Sequence, residues 1–210
     1  MTAVVGIAHR GRLIFGADSA LTDDDFNQLA MAEPKVFKMV MPNGDEMLIG
    51  GSGSARGGQL LRFKFKAPKH PRGMDADAYM ASLWIDELRS VFKSGGHMGY
   101  ETESENDRGP ETSGTNALIG YRGDIWIMYG ADLQVERLQD NYAAIGSGAP
   151  VALASLFTTE KPRGPGGATR ERVRTALEAA CRYNAACRPP FTILAIEPRS
   201  QRRAATIPGK

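Results

Sequence analysis

Thr2 carries the sharpest chemical possibility in the sequence. A methionine followed by a small residue is the usual situation for removal of the methionine, and removal here leaves a threonine with a hydroxyl and a free α-amine. A hydroxyl is a weak nucleophile until a base takes its proton, and an α-amine titrating near ~8 suits that task at neutral pH. An N-terminal threonine with its own amine is one variant of the nucleophile-plus-base arrangement. Taken alone, Thr2 is also how an ordinary chain begins.

A second stretch with chemical potential is Gly50-Gly51-Ser52-Gly53-Ser54, between an apolar run and a candidate helix. It has neither the dinucleotide spacing nor the Gly-Lys-Ser/Thr ending of a phosphate cradle. The other use of such a junction is to offer backbone N–H groups to developing negative charge. Asp23, Asp24 and Asp25 are adjacent, so their side chains diverge, and no spaced carboxylate or histidine joins them; a solvated turn is expected and no metal or other cofactor. Cys181 and Cys187 are too few for a disulfide framework.

Several elements must position these residues. Met1 to Asp18 reads as a β-hairpin, apolar runs broken at His9-Arg10-Gly11-Arg12. Ser19 to Ala32 reads as a loop. Lys35-Val36-Phe37-Lys38-Met39-Val40-Met41 and Glu46 to Gly50 flank the Asn43-Gly44 turn, the strongest short hairpin signal. A helix is expected over Ala55 to Phe65. A second, over Asp75 to Phe92, carries Met80, Leu83, Trp84, Leu88, Val91 and Phe92 at three- and four-residue steps, with Asp75 as cap. Lys93 to Thr115 is polar and acidic and reads as a long mobile loop or insertion.

Strands are expected at Asn116 to Tyr121, Ile125 to Tyr129 and Gln134 to Gln139. Tyr142 to Gly148 leads to a helix over Pro150 to Thr159. A Pro/Gly link from Lys161 to Gly167 precedes a helix capped by Thr169, with Val173, Leu177 and Cys181 on one face. Pro189-Pro190 ends it. Phe191 to Ile196 reads as a buried strand, and Pro198 to Lys210 as a frayed basic tail. Hairpins alternating with helix pairs imply an α+β, four-layer αββα sandwich of two stacked, mainly antiparallel sheets. Residues 1–197 are expected to form one domain.

Apolar residues make up 42% of the chain and charged ones 24%, which is ordinary for a soluble protein, and the net charge of +2 argues against nucleic acid or an acidic membrane as partner. No run approaches a membrane span and no secretory signal is apparent, so a cytoplasmic location is expected.

This order of segments resembles the proteasome β-subunit and HslV-type peptidases, members of the N-terminal-nucleophile hydrolases, from about Thr2 to Ile196. The likeness rests on Thr2, Gly16-Ala17-Asp18-Ser19, Lys35 opening Lys35-Val36-Phe37-Lys38, Gly51-Ser52-Gly53-Ser54-Ala55, and Ala144-Ile145-Gly146-Ser147-Gly148. It implies the corresponding fold and a threonine endopeptidase acting on polypeptide. Thr2 would be the nucleophile and its amine the base. Lys35 would be the cation that lowers the amine's pKa, and Asp18 would hold Lys35. Gly53, or Gly51 if the alignment slips, would supply the oxyanion N–H, and Ser147 would lie near the amine. Read one at a time, Asp18 and Lys35 are a surface ion pair, Gly53 a helix-entry turn and Ser147 a helix cap.

Where the family often places an aspartate and, three residues on, a serine, this chain has Asn184 and Cys187; an asparagine can hydrogen-bond the amine but brings no charge. The resemblance further implies self-association into a ring or cage and an AAA+ ATPase unfoldase as partner. Two other functions share the fold: a catalytically inactive structural or assembly subunit, and an amidohydrolase acting on a small molecule.

Overall fold

Strand β1 (Val4–His9) is buried along nearly its whole length, so it can lie only inside a layered molecule, with other elements covering both faces. The computed structural model, which describes residues 2–22, 27–104, 107–160 and 170–198, places it there. β1 pairs antiparallel with β2 (Arg12–Ala17) through the expected turn, Val4 opposite Ala17 and His9 opposite Arg12. β12 (Tyr142–Ile145) lies on the other side of β1, and β13 (Thr192–Ile196) on the other side of β2, giving the order β12-β1-β2-β13.

The second sheet has five strands in the order β11-β10-β9-β6-β5. Its members are β5 (Val36–Val40), β6 (Glu46–Gly53), β9 (Thr115–Tyr121), β10 (Asp124–Met128) and β11 (Val135–Arg137). Period-two alternation divides its side chains between two cores. Met47 and Ile49 of β6 face the first helical layer, while Leu48 faces the other sheet, where Val4, Phe15, Val36 and Leu118 meet it.

The first helical layer is α1 (Ala55–Gln59), which widens into a π-type stretch at Leu60–Lys64, and a rod made of α2 (Ala76–Tyr79), a π-type stretch (Met80–Trp84) and α3 (Ile85–Ser94). Asp75 caps the rod, its carboxylate accepting from the N–H groups of Asp77 and Ala78. Tyr79, Trp84, Leu88 and Phe92 bury its apolar stripe. The second layer is α4 (Ala149–Glu160) and α5 (Arg170–Tyr183), which cover the outer face of β1 and β2 through Leu156, Val173 and Leu177. Helices, sheet, sheet, helices: the expected four-layer sandwich is the observed one.

Three expectations change. Ser19 to Ala32 is not all loop, since β3 (Ala20–Thr22) and β4 (Gln28–Ala30) pair there, and long-range bonds no local pattern encodes fasten them: Gln28 Nε2 to the Ala185 carbonyl at 3.0 Å and Arg188 to the Gln28 carbonyl at 3.2 Å. Lys93 to Thr115 holds a hairpin, β7 (Gly99–Ser104) with β8 (Asp107–Thr112), tied to α3 by Lys93–Glu111 at 2.6 Å and Arg89–Glu111 at 3.6 Å. β13 is half-buried except at Ile196 because it is an edge strand. The Asp23–Asp25 turn, the Lys161–Gly167 link, the Thr169 cap and the tail beyond Pro198 lie outside the described residues.

Burial raises the pKa of Tyr79 and Tyr121 and pushes the Cys181 and Cys187 thiols up to about 12 and about 11. In the unfolded chain a thiol titrates near ~8.5 and a phenol near ~10. The unfolded state therefore sheds protons first, and stability present at neutral pH is lost as pH rises from about 8.5 through about 11, by up to ~1.4 kcal/mol per group per pH unit. Urea titrations at stepped pH should show a midpoint that falls across that window; a midpoint constant to pH 11 contradicts the burial of these groups.

Candidate active site

Hairpin register alone brings Asp18 to Thr2. With Val4 opposite Ala17, Ala3 falls opposite Asp18, whose N–H donates to the Ala3 carbonyl at 3.2 Å. The Asp18 carboxylate, 2% exposed, turns back into the molecule. Its Oδ1 accepts from Ala3 N at 2.9 Å and from Lys35 Nζ at 2.8 Å; its Oδ2 accepts from Ala20 N at 2.8 Å and Arg188 N at 3.2 Å. Lys35 stands just ahead of β5, and its carbonyl accepts from Gly51 N at 3.1 Å, which fixes its backbone to the end of β6. The same ammonium that meets Asp18 donates to Thr2 Oγ1 at 2.9 Å. Thr2 itself is only 6% exposed, and Lys35 and Asp18 side chains are almost completely removed from water.

Ser147, in the turn between β12 and α4, accepts from Thr2 N at 3.2 Å and lies 3.5 Å from the Thr2 carbonyl, to which it donates. Gly148 N donates to the same carbonyl at 3.1 Å. The turn passes so close that a Cβ on Gly146 would run into the Thr2 carbonyl, and its φ of +92° favours glycine as well. Gly53 ends β6 with φ +89°, where a Cβ would strike the Gly114 carbonyl. It lines one cavity with Thr2, Lys35 and Gly51.

Asn184 sits at a different task from the one the resemblance implies. Its Nδ2 donates to the Ser147 carbonyl at 2.7 Å and its Oδ1 accepts from Ala186 N at 2.9 Å, so both ends of the amide serve backbone. Cys187, three residues on, is buried against Gly148, and burial followed by the nearby Asp18 charge raises its pKa. Thr2, Asp18, Lys35 and Ser147 thus share one contact network, Gly53 and Gly51 line the cavity beside it, and Asn184 supports it from behind.

Four neighbours of the site carry no local sequence signal. Ser52, buried between Gly51 and Gly53, has a hydroxyl without a hydrogen-bond partner, and strand alternation turns it toward the other sheet, as it does Leu48 and Gly50. The Arg188 N–H reaches Asp18 from the far end of the chain. Thr115, 1% exposed and opposite Gly53 in the β6–β9 ladder, meets His97 Nε2 at 2.8 Å. Burial, with the Arg56 cation adding, holds the His97 pKa below its ordinary value and so keeps the ring neutral. Gly57 is flush against this pair, with no room for a Cβ. Among the described residues no group of three His, Cys, Asp or Glu is placed to hold a metal, and no helix is long and apolar enough to cross a membrane. A larger cavity, about 780 Å³, lies away from Thr2, and the polar groups Asp77, Trp126 and Arg137 on its wall bond one another.

Asp18→Ala should cost about 3–5 kcal/mol in urea denaturation, because it leaves the Lys35 ammonium buried without its partner; a cost below ~1 kcal/mol would show the pair to be solvated. Gly57→Ala should cost roughly 1–3 kcal/mol by forcing His97 and Thr115 apart, and an unchanged melting temperature would contradict the close packing.

No family model matches the sequence, and no curated protein matches it. Solved structures do. Thiobacillus denitrificans BPH aligns with a TM-score of 0.71 and 20% identity over 93% of this chain and 98% of that one. Eukaryotic HslV from Trypanosoma brucei gives 0.60 and 15% over 93% and 99%, and Anbu, an ancestral β-subunit, from Yersinia bercovieri gives 0.61 and 14% over 92% and 81%. The expected resemblance holds at the level of fold: the chain folds as the proteasome-type N-terminal-nucleophile hydrolase subunits do.

Proposed function

We propose that the protein is a threonine peptidase whose nucleophile is the Thr2 hydroxyl, exposed with its amine when the chain is cut between Met1 and Thr2. The observation that carries this reading is the single ammonium of Lys35, 2.9 Å from Thr2 Oγ1 and 2.8 Å from Asp18, at the wall of an open cavity. A buried lysine held by a carboxylate and donating to a hydroxyl stabilises that oxygen as it loses its proton.

The hydroxyl proton passes to the freed amine while Oγ1 bonds the peptide carbonyl carbon. The carbonyl oxygen takes the negative charge, and the Gly53 N–H meets it at the cavity wall. Collapse breaks the C–N bond, the departing amine takes the proton, and an ester on Thr2 remains. Water, losing its proton to the Thr2 amine, attacks the ester carbonyl; the C–Oγ1 bond breaks and the amine returns the proton to Oγ1, restoring the hydroxyl. Ser147, already bonded to the Thr2 nitrogen, keeps the amine directed at the hydroxyl and its water. Asn184 holds the Ser147 carbonyl and through it the turn. No cofactor takes part in these steps.

Self-association belongs to the same proposal. α4 carries Leu153 and Phe157 exposed one turn apart, and an Anbu complex from Pseudomonas aeruginosa is described as a helical assembly. A ring or cage of copies, supplied with unfolded polypeptide by an AAA+ ATPase, extends the reading by resemblance alone. The inactive assembly subunit and the small-molecule amidohydrolase are separated from it by experiment.

BPH has been obtained in complex with epoxomicin. Epoxomicin, an epoxyketone, should add covalently to the mature chain at Thr2, seen by intact mass and peptide mapping. A purified chain that retains Met1, or modification that survives Thr2→Ala, would refute the mechanism. Lys35→Ala should lower kcat for a fluorogenic peptide by at least ~10³-fold while the circular dichroism spectrum and oligomeric state stay as they are; turnover near that of the unaltered protein removes Lys35 from the chemistry.

A further inference from the structure

The segment that carries the Gly53 N–H rests on the neighbouring strand. Gly53 stands opposite Thr115 in the β6–β9 ladder, Ser54 N donates to the Gly114 carbonyl at 3.0 Å, and a Cβ at position 53 would strike that same carbonyl. Where the Gly53 N–H points is therefore set by where Gly114 and Thr115 lie. One side of Thr115 is pinned within its own strand: its N–H donates to Ser113 Oγ at 3.3 Å, and Ser113 N donates to the Gly130 carbonyl at 2.8 Å. The other side meets His97, in the link between α3 and β7. His97 N donates to the Phe92 carbonyl at 2.9 Å, and its ring meets the Phe92 ring edge-on with centroids 5.0 Å apart.

The buried Thr115 hydroxyl needs a partner for its proton. Two acceptors are in reach, His97 Nε2 at 2.8 Å and the Ser113 carbonyl at 3.5 Å. The second distance is at the limit of a hydrogen bond, so the proton points at Nε2, which is then the bare nitrogen of a neutral ring. A proton arriving on Nε2 reverses this bond. Both ring nitrogens become donors, the Thr115 proton is left to the distant carbonyl, and a cation is created against the Gly57 backbone, which leaves it no slack. Of the elements packed on His97, α3 presents the Phe92 ring, β9 presents Thr115, and α1 presents Gly57 and Arg56. The charged one among these is Arg56, whose Nη2 donates to the Gly95 carbonyl in the same link at 3.4 Å. Burial first, and then this cation, hold the His97 pKa below its ordinary value.

Resting on the peptidase reading above, we propose that His97 is the positioning residue for the Gly53 N–H: its neutral ring holds Thr115, and through Gly114 the turn that meets the oxyanion, and protonation of His97 lets that turn go. His97 is not in the wall of the cavity beside Thr2. It acts on the rate of the chemical step and leaves substrate binding alone, and it makes that step sensitive to acid.

The test follows kcat and KM of the mature chain for a fluorogenic peptide between about pH 5 and about pH 8, beside the histidine ring titrations seen by NMR. The chain has three histidines, and the signal lost in His97→Gln identifies the one that matters. In the unaltered protein kcat should fall below about pH 6.5 more steeply than one proton allows, because the amine and His97 both titrate. His97→Gln offers Thr115 an uncharged acceptor at every pH, so its limb should flatten to one proton and its ratio of neutral to acid kcat should drop by at least ~3-fold. His97→Ala should lower kcat by ~10-fold or more at neutral pH with KM within about twofold, and His97→Gln should recover most of that loss. A peptide aldehyde, whose adduct on Thr2 places its oxygen where the oxyanion forms, should weaken in His97→Ala by the same factor as kcat/KM. Should His97→Ala fail to fold, the His97→Gln limb and the ring titration decide. An acid limb unmoved by His97→Gln overturns the proposal. So does a loss in His97→Ala that lies in KM, full turnover in a folded His97→Ala protein, or a His97 titration that misses the extra step in kcat. Labelling of Thr2 by epoxomicin with His97 variants that behave as the unaltered protein overturns only this proposal; a Thr2 silent toward epoxomicin overturns the peptidase reading and this one with it.

Discussion

The buried ion pair between Lys35 and Asp18 is the constraint to which the rest of the molecule answers. Two opposite charges out of water cost several kcal/mol each before their attraction and hydrogen bonds are counted, so such a pair persists only where geometry supplies everything it needs. Here the carboxylate receives donors from four places in the chain: Ala3, Ala20, Lys35 and Arg188. Those segments are the start of β1, the start of β3, the residue before β5 and the turn before β13. None can shift by an ångström without leaving a buried charge short of a partner. The pair thus fixes how the first and last strands meet the second sheet, and a cation comes to rest against a threonine hydroxyl as a consequence.

The layers divide the work. The four-stranded sheet and the helices behind it hold Thr2, Asp18 and Ser147; the five-stranded sheet brings Lys35 and the Gly51–Gly53 turn. The site is the seam between them, open on one side. Close approach at a seam leaves no room for side chains, which is why Gly146 lies against the Thr2 carbonyl and Gly53 against Gly114. Support comes from behind in both halves, by Asn184 on the Ser147 carbonyl and by His97 on Thr115 beside Gly53. Gly51 and Gly58 differ in kind from these, since they leave a space that no described residue fills.

Some of this was legible in the residues, and some could not be. The hairpins at Gly11 and at Asn43-Gly44, the Asp75 cap and the stripe along the rod are local: turn chemistry and side-chain period specify them within a dozen residues, and each lies where the sequence puts it apart from Leu83, expected in the stripe but 40% exposed. The pairings of β3 with β4 and β7 with β8 are short and polar, and they gain their order from Ala185, Arg188, Lys93 and Arg89, partners their own residues do not announce. Thr2, Asp18, Lys35, Gly53, Ser147 and Asn184 could be named because their order and spacing resemble a family, not because any one of them is distinctive.

By itself the sequence determined the locally specified hairpins and helices, the apolar faces that force a four-layer stack, and the candidates for chemistry. Tertiary structure alone decided that Lys35 Nζ lies between a hydroxyl and a carboxylate, that the Asn184 amide faces a carbonyl, that Ser52 and His97 stand at the site, and that two unremarkable glycines open a cavity next to Thr2. The physical reason is one of range. Propensity, capping and periodicity act over a few residues, whereas the distance between an ammonium at position 35, a hydroxyl at position 2 and an N–H at position 188 is set only when both sheets have closed on a common core.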